Sequence, residues 1–550
     1  MGQIIGYVLF TILAVFGAKK FIEQDGHPKG LFYLFFAEMW ERFSFYGMRA
    51  LLVLYIIKDY MQSAENNEEI AYGIYAAYGA LVYATPLLGG FLADRFIGYR
   101  KAIMLGGILM AAGHFFMAFP KDIFFYGALG LLIAGNGFFK PNISSLVGAL
   151  YKEGDIKRDS GFTIFYMGIN LGAAVAPLLC GYIGEEWGWH YGFGLAGIGM
   201  LAGVVVFWDG LKKGVFGEEG LQPKKYQNKT YGLGWFLEKN EKGTFVPSIQ
   251  FKIDKLIYVF AWLIVPIFAY LIVLEAGGNH FLGMIINVLL LISVGYAGYL
   301  MYENYKSGQP AVANKIGAIL ILAVLCAVFW ACFEQAGSSI VVWADKCIDL
   351  KFMVASQTNA INPGYIIFLA FPFALLWQKL DLWGKNPNTA HKFAMGIAFL
   401  GLGFLAFAYS IHFISDAGKL PFSTLWIGWL LITTGELCLS PIGLSKVTQL
   451  SPKKAVAFFM GLWFLSSTVA HYIAGMLAKL TTSGQTTDSS GLLGKLNSMF
   501  FSGVDPNGVG VAEAMVYNDL FAKIGFVTIG IAIITLLVSP MIKKLMGDVH

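Results

Sequence analysis

Charge is what this chain has least of: Asp, Glu, Lys and Arg make up 13% of its 550 residues, against 57% hydrophobic residues. So little polar side chain cannot cover a soluble body of this length, which excludes a water-soluble globular protein and implies an integral membrane protein. Cysteine is scarce too. The five present, Cys180, Cys326, Cys332, Cys347 and Cys438, fall mostly inside apolar runs without C-x-x-C spacing, which argues against a metal or thiol redox centre and reads them as small packing residues. No H-E-x-x-H, G-x-S-x-G or paired-aspartate signature occurs, so the chain is not expected to be an enzyme, and no metal or cofactor is called for. The net charge of +5 comes from basic residues spread over alternating loops, not gathered in one patch, so nucleic acid is not an expected partner.

What is present is length in lipid. Nearly uncharged stretches of about 20 residues recur, each long enough at about 1.5 Å per residue to cross a hydrocarbon layer of about 30 Å. The fold class implied is an all-α membrane protein, a helical bundle and not a barrel. Apolar runs near 31–57, 71–93, 102–119, 123–150, 162–183 and 191–208 give six helices. Residues 209–255 follow, polar and glycine-rich with nine Lys against six Asp and Glu, and read as a cytoplasmic linker. Two runs near 256–274 and 283–302 come next, then six more near 316–344, 365–377, 393–411, 426–450, 456–477 and 521–542. The expected domains are an N-terminal hydrophobic extension (1–25), a six-helix bundle (26–208), the linker (209–255), two inserted transmembrane helices (256–313) and a second six-helix bundle (314–550): fourteen transmembrane helices in all. Residues 1–18 are uncharged and are either an extra span or an interfacial helix. Loops carrying Arg95, Arg100 and Lys101, then Lys152, Lys157 and Arg158, then Lys379, Lys385 and Lys392, then Lys446, Lys453 and Lys454, fall on one side with Lys543 and Lys544, which the positive-inside rule makes cytoplasmic.

Against this background "FAEMWERFSFYGMRALL" (Phe36–Leu52) places four charges inside a lipid-length helix. Glu38, Glu41, Arg42, Phe45, Tyr46 and Arg49 share one stripe at 3.6 residues per turn. Each charge would cost about 2.5 to 3.5 kcal/mol at mid-membrane facing lipid, so the stripe faces protein or water. The plain alternative is that these charges pair only among themselves or snorkel to the interface. "GNGFFKPNISS" adds Lys140 inside the fourth helix, "FWACFEQAGSS" adds Glu334 with Trp330 four residues before it, and "ITTGELCLSPIG" adds Glu436. Four carboxylates (Glu38, Glu41, Glu334, Glu436) then face three cations (Arg42, Arg49, Lys140). One carboxylate is left to take up a proton, and the set titrates as a coupled unit. A zwitterion carrying a carboxylate and an ammonium suits such a set. His114 and His471, also inside spans, are read as satisfied structural histidines and left out of the site.

Two six-helix halves joined by a basic linker suggest the major facilitator architecture, with substrate near mid-membrane between the halves. "GGFLADRFIGYRK" (Gly89–Lys101) resembles the G-x-L-a-D-r-x-G-r-k signature of that superfamily. Asp94, pairing with Arg95 or Arg100, is the expected conformational latch; an ordinary charged turn is the alternative.

More specifically, "EMWERFSFYG" resembles the E-x-x-E-R-F-x-Y-Y-G motif of the proton-coupled oligopeptide transporter (POT) family. "FYMGINLGAAVAPLLCGYIG" (Phe165–Gly184) is similar to its F-Y-x-x-I-N-x-G motif. "INPGYIIFLAFP" (Ile361–Pro372) and "GELCLSPIGLSKVTQLSP" (Gly435–Pro452) also resemble that family, over about residues 26–544 and including the two inserted helices. The resemblance implies proton coupling through Glu38, Glu41 and Arg42. It implies substrate contacts from Arg42, Tyr46, Tyr83, Lys140, Asn170, Trp330, Asn362, Glu436, Trp463 and Ser467. Gating pairs are expected in Arg49 with Glu334 and Lys140 with Glu436. Phe45 stands where the motif usually has tyrosine, which bears on side-chain selectivity. The expected function is import of di- and tripeptides with protons by alternating access, in the inner (plasma) membrane among lipid, as a monomer, with the proton as coupling ion and no cofactor. The alternatives are the same fold carrying nitrate or another small anion, and a non-transporting peptide receptor.

Overall fold

The computed structural model describes residues 2–152, 155, 157–223, 237–239, 245–247, 249–452, 454–482, 491–547 and 549. In chain order the helices are α1 (Gly2–Gln24), α2 (Gly30–Tyr55), α3 (Asn67–Leu92), α4 (Gly98–Phe116), α5 (Asp122–Ala149), α6 (Arg158–Ala176), α7 (Tyr182–Trp187), α8 (Trp189–Lys212), α9 (Ile249–Ala276), α10 (Phe281–Lys306), α11 (Pro310–Phe333), α12 (Ser339–Cys347), α13 (Ile361–Leu382), α14 (Thr389–Tyr409), α15 (Ser423–Leu450), α16 (Val456–Lys479), α17 (Leu492–Phe500) and α18 (Val511–Met546). The expected linker holds an antiparallel pair of short strands, β1 (Leu237–Lys239) and β2 (Phe245–Pro247). The linker's remaining residues between 224 and 248 lie outside the described residues, as does Lys453.

Twelve helical runs among the described residues are long and apolar enough to cross a membrane, so the protein is an all-helical, multi-span integral membrane protein. Three features keep that number below the helix count read from apolar runs. Four charges interrupt α2. A π-helical turn at Ala93–Ile97 joins α3 and α4 into a single stretch. In α15 the side chains of residues 440–442 lie outside the described residues, and the run that is left, Ser423–Leu439, is too short to count as a span. Helix α1 is also among the twelve; Leu13 and Phe16 are more than 60% exposed, as a lipid-facing helix would be.

By packing, the chain divides into two units, residues 1–51 with 81–273, and residues 52–80 with 274–550. The inserted pair 256–313 is divided between them: α9 as far as Val273 packs with the first unit and α10 with the second. In the first unit, a side chain at Gly130 would meet the Val265 carbonyl oxygen at 2.6 Å, so α5 and α9 touch through backbone. In the second, Gly283 of α10 lies under the Tyr472 hydroxyl and Tyr296 packs edge-on against Phe458 at 4.8 Å. Small residues bring helices together in both units, since lipid offers no hydrophobic drive to associate. A Cβ at Gly89 would sit 2.0 Å from the Gly137 carbonyl oxygen, and one at Gly172 2.2 Å from that of Met39.

The run expected as one helix over 316–344 breaks in the second unit. Helix α11 ends at Phe333, a 3₁₀ turn covers Glu334–Gly337, and α12 starts at Ser339. The Tyr75 hydroxyl of α3 packs against Gly337, where a Cβ would lie 2.3 Å away, and reaches Glu334.

Candidate functional site

Within the first unit, α2 delivers Glu38 and Arg42 one turn apart, so they meet as an i,i+4 pair. Arg42 Nε donates to Glu38 Oε1 at 2.9 Å and lies 2.6 Å from Glu41 Oε2. Asn136 of α5 donates its amide to Glu41 Oε1 at 3.1 Å. All three charged side chains are buried, and Arg42 Nη2 and Glu38 Oε2 have no hydrogen-bond partner among the described residues. A buried, unmatched polar atom costs on the order of 1 to 3 kcal/mol, more when charged, so these two atoms point to a ligand or water. Phe45 packs beside the guanidinium, 5.7 Å from ring centre to Cζ, where a tyrosine would add a hydroxyl. One turn beyond Asn136, Lys140 sits 4.1 Å over the Tyr83 ring, a cation–π contact. Arg49 and Tyr46 form a similar pair at 5.6 Å. Asn170 is buried and returns its amide to the Tyr166 carbonyl of its own helix at 3.0 Å.

The second unit holds two further clusters. In one, Asn362 of α13 donates to Glu436 Oε2 at 2.9 Å and to Thr433 Oγ1 at 3.0 Å, which fixes the carboxylate on α15. In the other, the Tyr75 hydroxyl donates to Glu334 Oε2 at 3.1 Å, and His471 Nε2 stands 3.4 Å from Glu334 Oε1. Trp330 lies one turn before Glu334 on α11, stacked edge-on to Phe333 at 5.0 Å. On α16, Trp463, Ser467 and His471 recur every four residues along one stripe. Trp463 lies on Gly443, which has no side chain to displace it. An apolar groove of about 670 Å³ between α10, α11, α16 and α18 holds none of the expected substrate residues.

Four residues left out of the expected site therefore belong to these clusters: Asn136, Thr433 and Tyr75, which the sequence reading did not name, and His471, which it set aside as structural. Helical spacing carried the signal for three of them. Asn136 is one turn before Lys140, Thr433 one turn before Glu436, and His471 one turn after Ser467. His471, expected to be a histidine satisfied within the structure, has a backbone partner in the Ser467 carbonyl, 2.9 Å from Nδ1, and also faces Glu334.

The expected latch takes another form. Among the described residues no ion pair joins Asp94 to Arg95 or Arg100. Arg100 donates instead to the carbonyls of Phe216, Gly217 and Glu219, and Arg95 packs over Phe91. Lys101 pairs with buried Asp254 of α9 and with Gln222. Gly98 takes φ +75°, and a Cβ there would lie 2.6 Å from the backbone of Leu221. The motif thus grips both ends of the expected linker within its own unit.

A multi-span helical bundle that keeps charged clusters in the middle of its helices is a membrane transporter of the major facilitator kind. The sequence model of the POT family matches residues 100–496, and the chain belongs to that family; it is a transporter and not an enzyme. It is similar to the uncharacterized transporter YclF of Bacillus subtilis, 35% identical over 95% of this chain and 96% of that one. It is 31% identical to the di-/tripeptide transporter of Lactococcus lactis subsp. cremoris, over 96% of this chain and 98% of that protein. Its fold matches the crystal structure of a mutant peptide transporter POT in complex with alafosfalin, with TM-score 0.72 and 33% identity over 95% of this chain and 96% of that one.

Proposed function

We propose that this protein is a proton-coupled symporter importing di- and tripeptides by alternating access. The observation that carries the reading is Arg42: a buried guanidinium engaged by two carboxylates through Nε, with Nη2 without a hydrogen-bond partner among the described residues. Protonation of Glu38 or Glu41 weakens that engagement and lets Arg42 take a peptide carboxylate, with Lys140 beside it and Asn170, Tyr46 and Tyr83 around it. Glu436, steadied by Asn362, takes the peptide ammonium, and Trp330, Trp463 and Ser467 line the pocket. Arg49 with Glu334 closes the outer side, and Lys140 with Glu436 the inner. The site is read in the inner (plasma) membrane, with the linker and C-terminus cytoplasmic and the monomer sufficient. The di-/tripeptide transporter among the relatives and the peptide-like ligand of the matched structure support peptide as the cargo.

Nitrate or another plain anion fits less well, because it leaves Glu436 and its Asn362 partner nothing cationic to hold. The test is purified protein in liposomes. Dialanine added outside acidifies the lumen, Glu436→Ala abolishes the effect, and nitrate neither drives proton uptake nor displaces labelled dialanine. Displacement by nitrate and not by dialanine overturns the reading. Peptide binding without proton movement makes the protein a receptor.

A further inference from the structure

We propose that the apolar groove between α10, α11, α16 and α18 is a binding site for one phosphatidylethanolamine molecule. An acyl chain fills the groove and the headgroup meets Lys523, Asp519 and Asn497. The proposal does not depend on what the protein carries. The groove holds about 670 Å³ and its lining runs from Leu290 to Ile531, so it lies within one packing unit.

Small side chains make the space. Ala323, Ala327 and Ala331 recur every four residues on α11 and form the floor, while Leu290 and Val294 of the inserted helix α10 and Val527 of α18 stand at the sides. Val324 on the floor is 63% exposed and Val527 47%, so the groove is open among the described residues. In a bilayer, hydrocarbon is what meets such a surface. The lining of α18 runs from Leu520 to Ile531, about 16 Å at about 1.5 Å per residue, close to half of a hydrocarbon layer about 30 Å thick. The depth is that of one leaflet. A chain lying in the groove touches protein on three sides, where a chain against a convex helix touches it on one, so it gains more dispersion contacts and stays longer.

One end of the groove is polar. Lys523 is the one charged residue lining it among the described residues, and it stands toward the end of α18 away from Lys543 and Lys544. It pairs with Asp519 one turn earlier, and Asp519 also receives the side-chain amide of Asn497 from α17. Leu493, one turn before Asn497, lines the groove, which puts the cluster at its mouth. Lys523 and Asp519 cancel in charge, so a purely anionic headgroup gains little there. A zwitterionic one gains twice, its phosphate on Lys523 and its ammonium on Asp519. Asn497 selects the kind of ammonium. The residue is buried and its Oδ1 has no hydrogen-bond partner among the described residues, so the cluster is short of a donor. Ethanolamine carries N–H donors and choline carries none. Since α10 forms one wall, the bound lipid also ties the inserted helix to α11, α16 and α18.

The test is native mass spectrometry of the full chain, freed of lipid in detergent and titrated with palmitoyl-oleoyl phosphatidylethanolamine, phosphatidylglycerol or phosphatidylcholine. One phosphatidylethanolamine is expected to stay on the wild type about tenfold more than either other lipid, as one charge-assisted hydrogen bond would give. Lys523→Gln should lower that retention by about tenfold and Lys523→Arg restore it. Ala327→Phe fills the floor and should lower retention of all three lipids. Equal retention of the three lipids by the wild type, or unchanged retention in Lys523→Gln, overturns the proposal. A dimer that Ala327→Phe dissociates, with no lipid bound, assigns the groove to a second copy and overturns it too. Should Ala327→Phe not elute as a single species, the wild type is photolabelled with phosphatidylethanolamine bearing a diazirine near the end of its acyl chain. Label concentrated on α11 and α18 supports the site, and label spread evenly over these helices and the exposed α1 overturns it.

Discussion

Arg42 faces two carboxylates through one nitrogen, and the two carboxylates differ in their remaining contacts. Glu41 is steadied by Asn136, whereas Glu38 keeps Oε2 without one. Glu41→Gln preserves an oxygen for the Asn136 amide and removes the ionisable group, so concentrative dialanine uptake should fall at least about tenfold while exchange at equal pH continues. Accumulation at the wild-type level in that variant removes Glu41 from coupling. Asn362→Ala leaves a buried carboxylate short of a charge-assisted hydrogen bond, a loss of about 1.5 to 3 kcal/mol. It should raise the dialanine concentration at half-maximal uptake by about 10-fold or more, with the nitrate response unchanged; equal values in the two proteins would detach Glu436 from the peptide ammonium. The charged members of these clusters were legible in the sequence because a charge in a lipid-length run needs an explanation. Of their neutral partners only Asn362 was named, through the family resemblance; Asn136, Thr433 and Tyr75 are unremarkable in a transmembrane helix until a carboxylate is seen beside them.

Helices show the same division between what pattern carries and what contact decides. Long apolar runs bounded by Lys and Arg placed many span ends within a few residues, as with α4, expected from 102 and starting at Gly98, but α18, expected from 521, starts at Val511. The break after Phe333, where Tyr75 of another helix packs against Gly337, was not legible in an apolar run that continues through it. Nor was the division of the inserted pair, whose two apolar runs look alike. The motif Gly89–Lys101 is the clearest case. Its glycines are unequal: a Cβ at Gly89 meets the Gly137 carbonyl oxygen at 2.0 Å, and one at Gly90 meets Pro141 Cβ at 3.5 Å, an ordinary contact. Backbone cannot step aside as a flexible side chain can, so Gly89→Ala forces α3 and α5 apart at a cost of about 1 to 3 kcal/mol. Melting in detergent should show Gly89→Ala several degrees below the wild type and Gly90→Ala within a degree of it. Equal shifts for the two variants would mean that this close approach contributes nothing special.

For the molecule as a cycling machine, the informative segment is 52–80, which packs with 274–550 although most of α2 and the end of α3 belong to the other unit. It is fastened there by Lys58 with Asp345 at 2.6 Å, by Lys346 with Glu68, and by the Tyr517 hydroxyl on Glu68 at 3.2 Å. In the proton-driven cycle proposed above, this fastening is released and remade. The ion pairs are partly exposed, each worth about 0 to 1 kcal/mol, whereas one proton crossing 100 mV supplies about 2.3 kcal/mol, enough for roughly fifty-fold accumulation of a neutral peptide. Removing the charges should therefore change the rate little: Lys58→Ala with Lys346→Ala is expected to shift dialanine uptake by no more than about fivefold in either direction. A covalent tie is different, because the driving force cannot break it. With Lys58→Cys and Asp345→Cys bridged by a short bifunctional maleimide, uptake should stop. The buried native cysteines give little background, and the same bridge built with a reducible spacer should restore uptake on reduction. If the bridged protein transports at the wild-type rate, residues 52–80 stay fixed on the second unit throughout the cycle. The moving gate must then be sought away from the 52–80 segment.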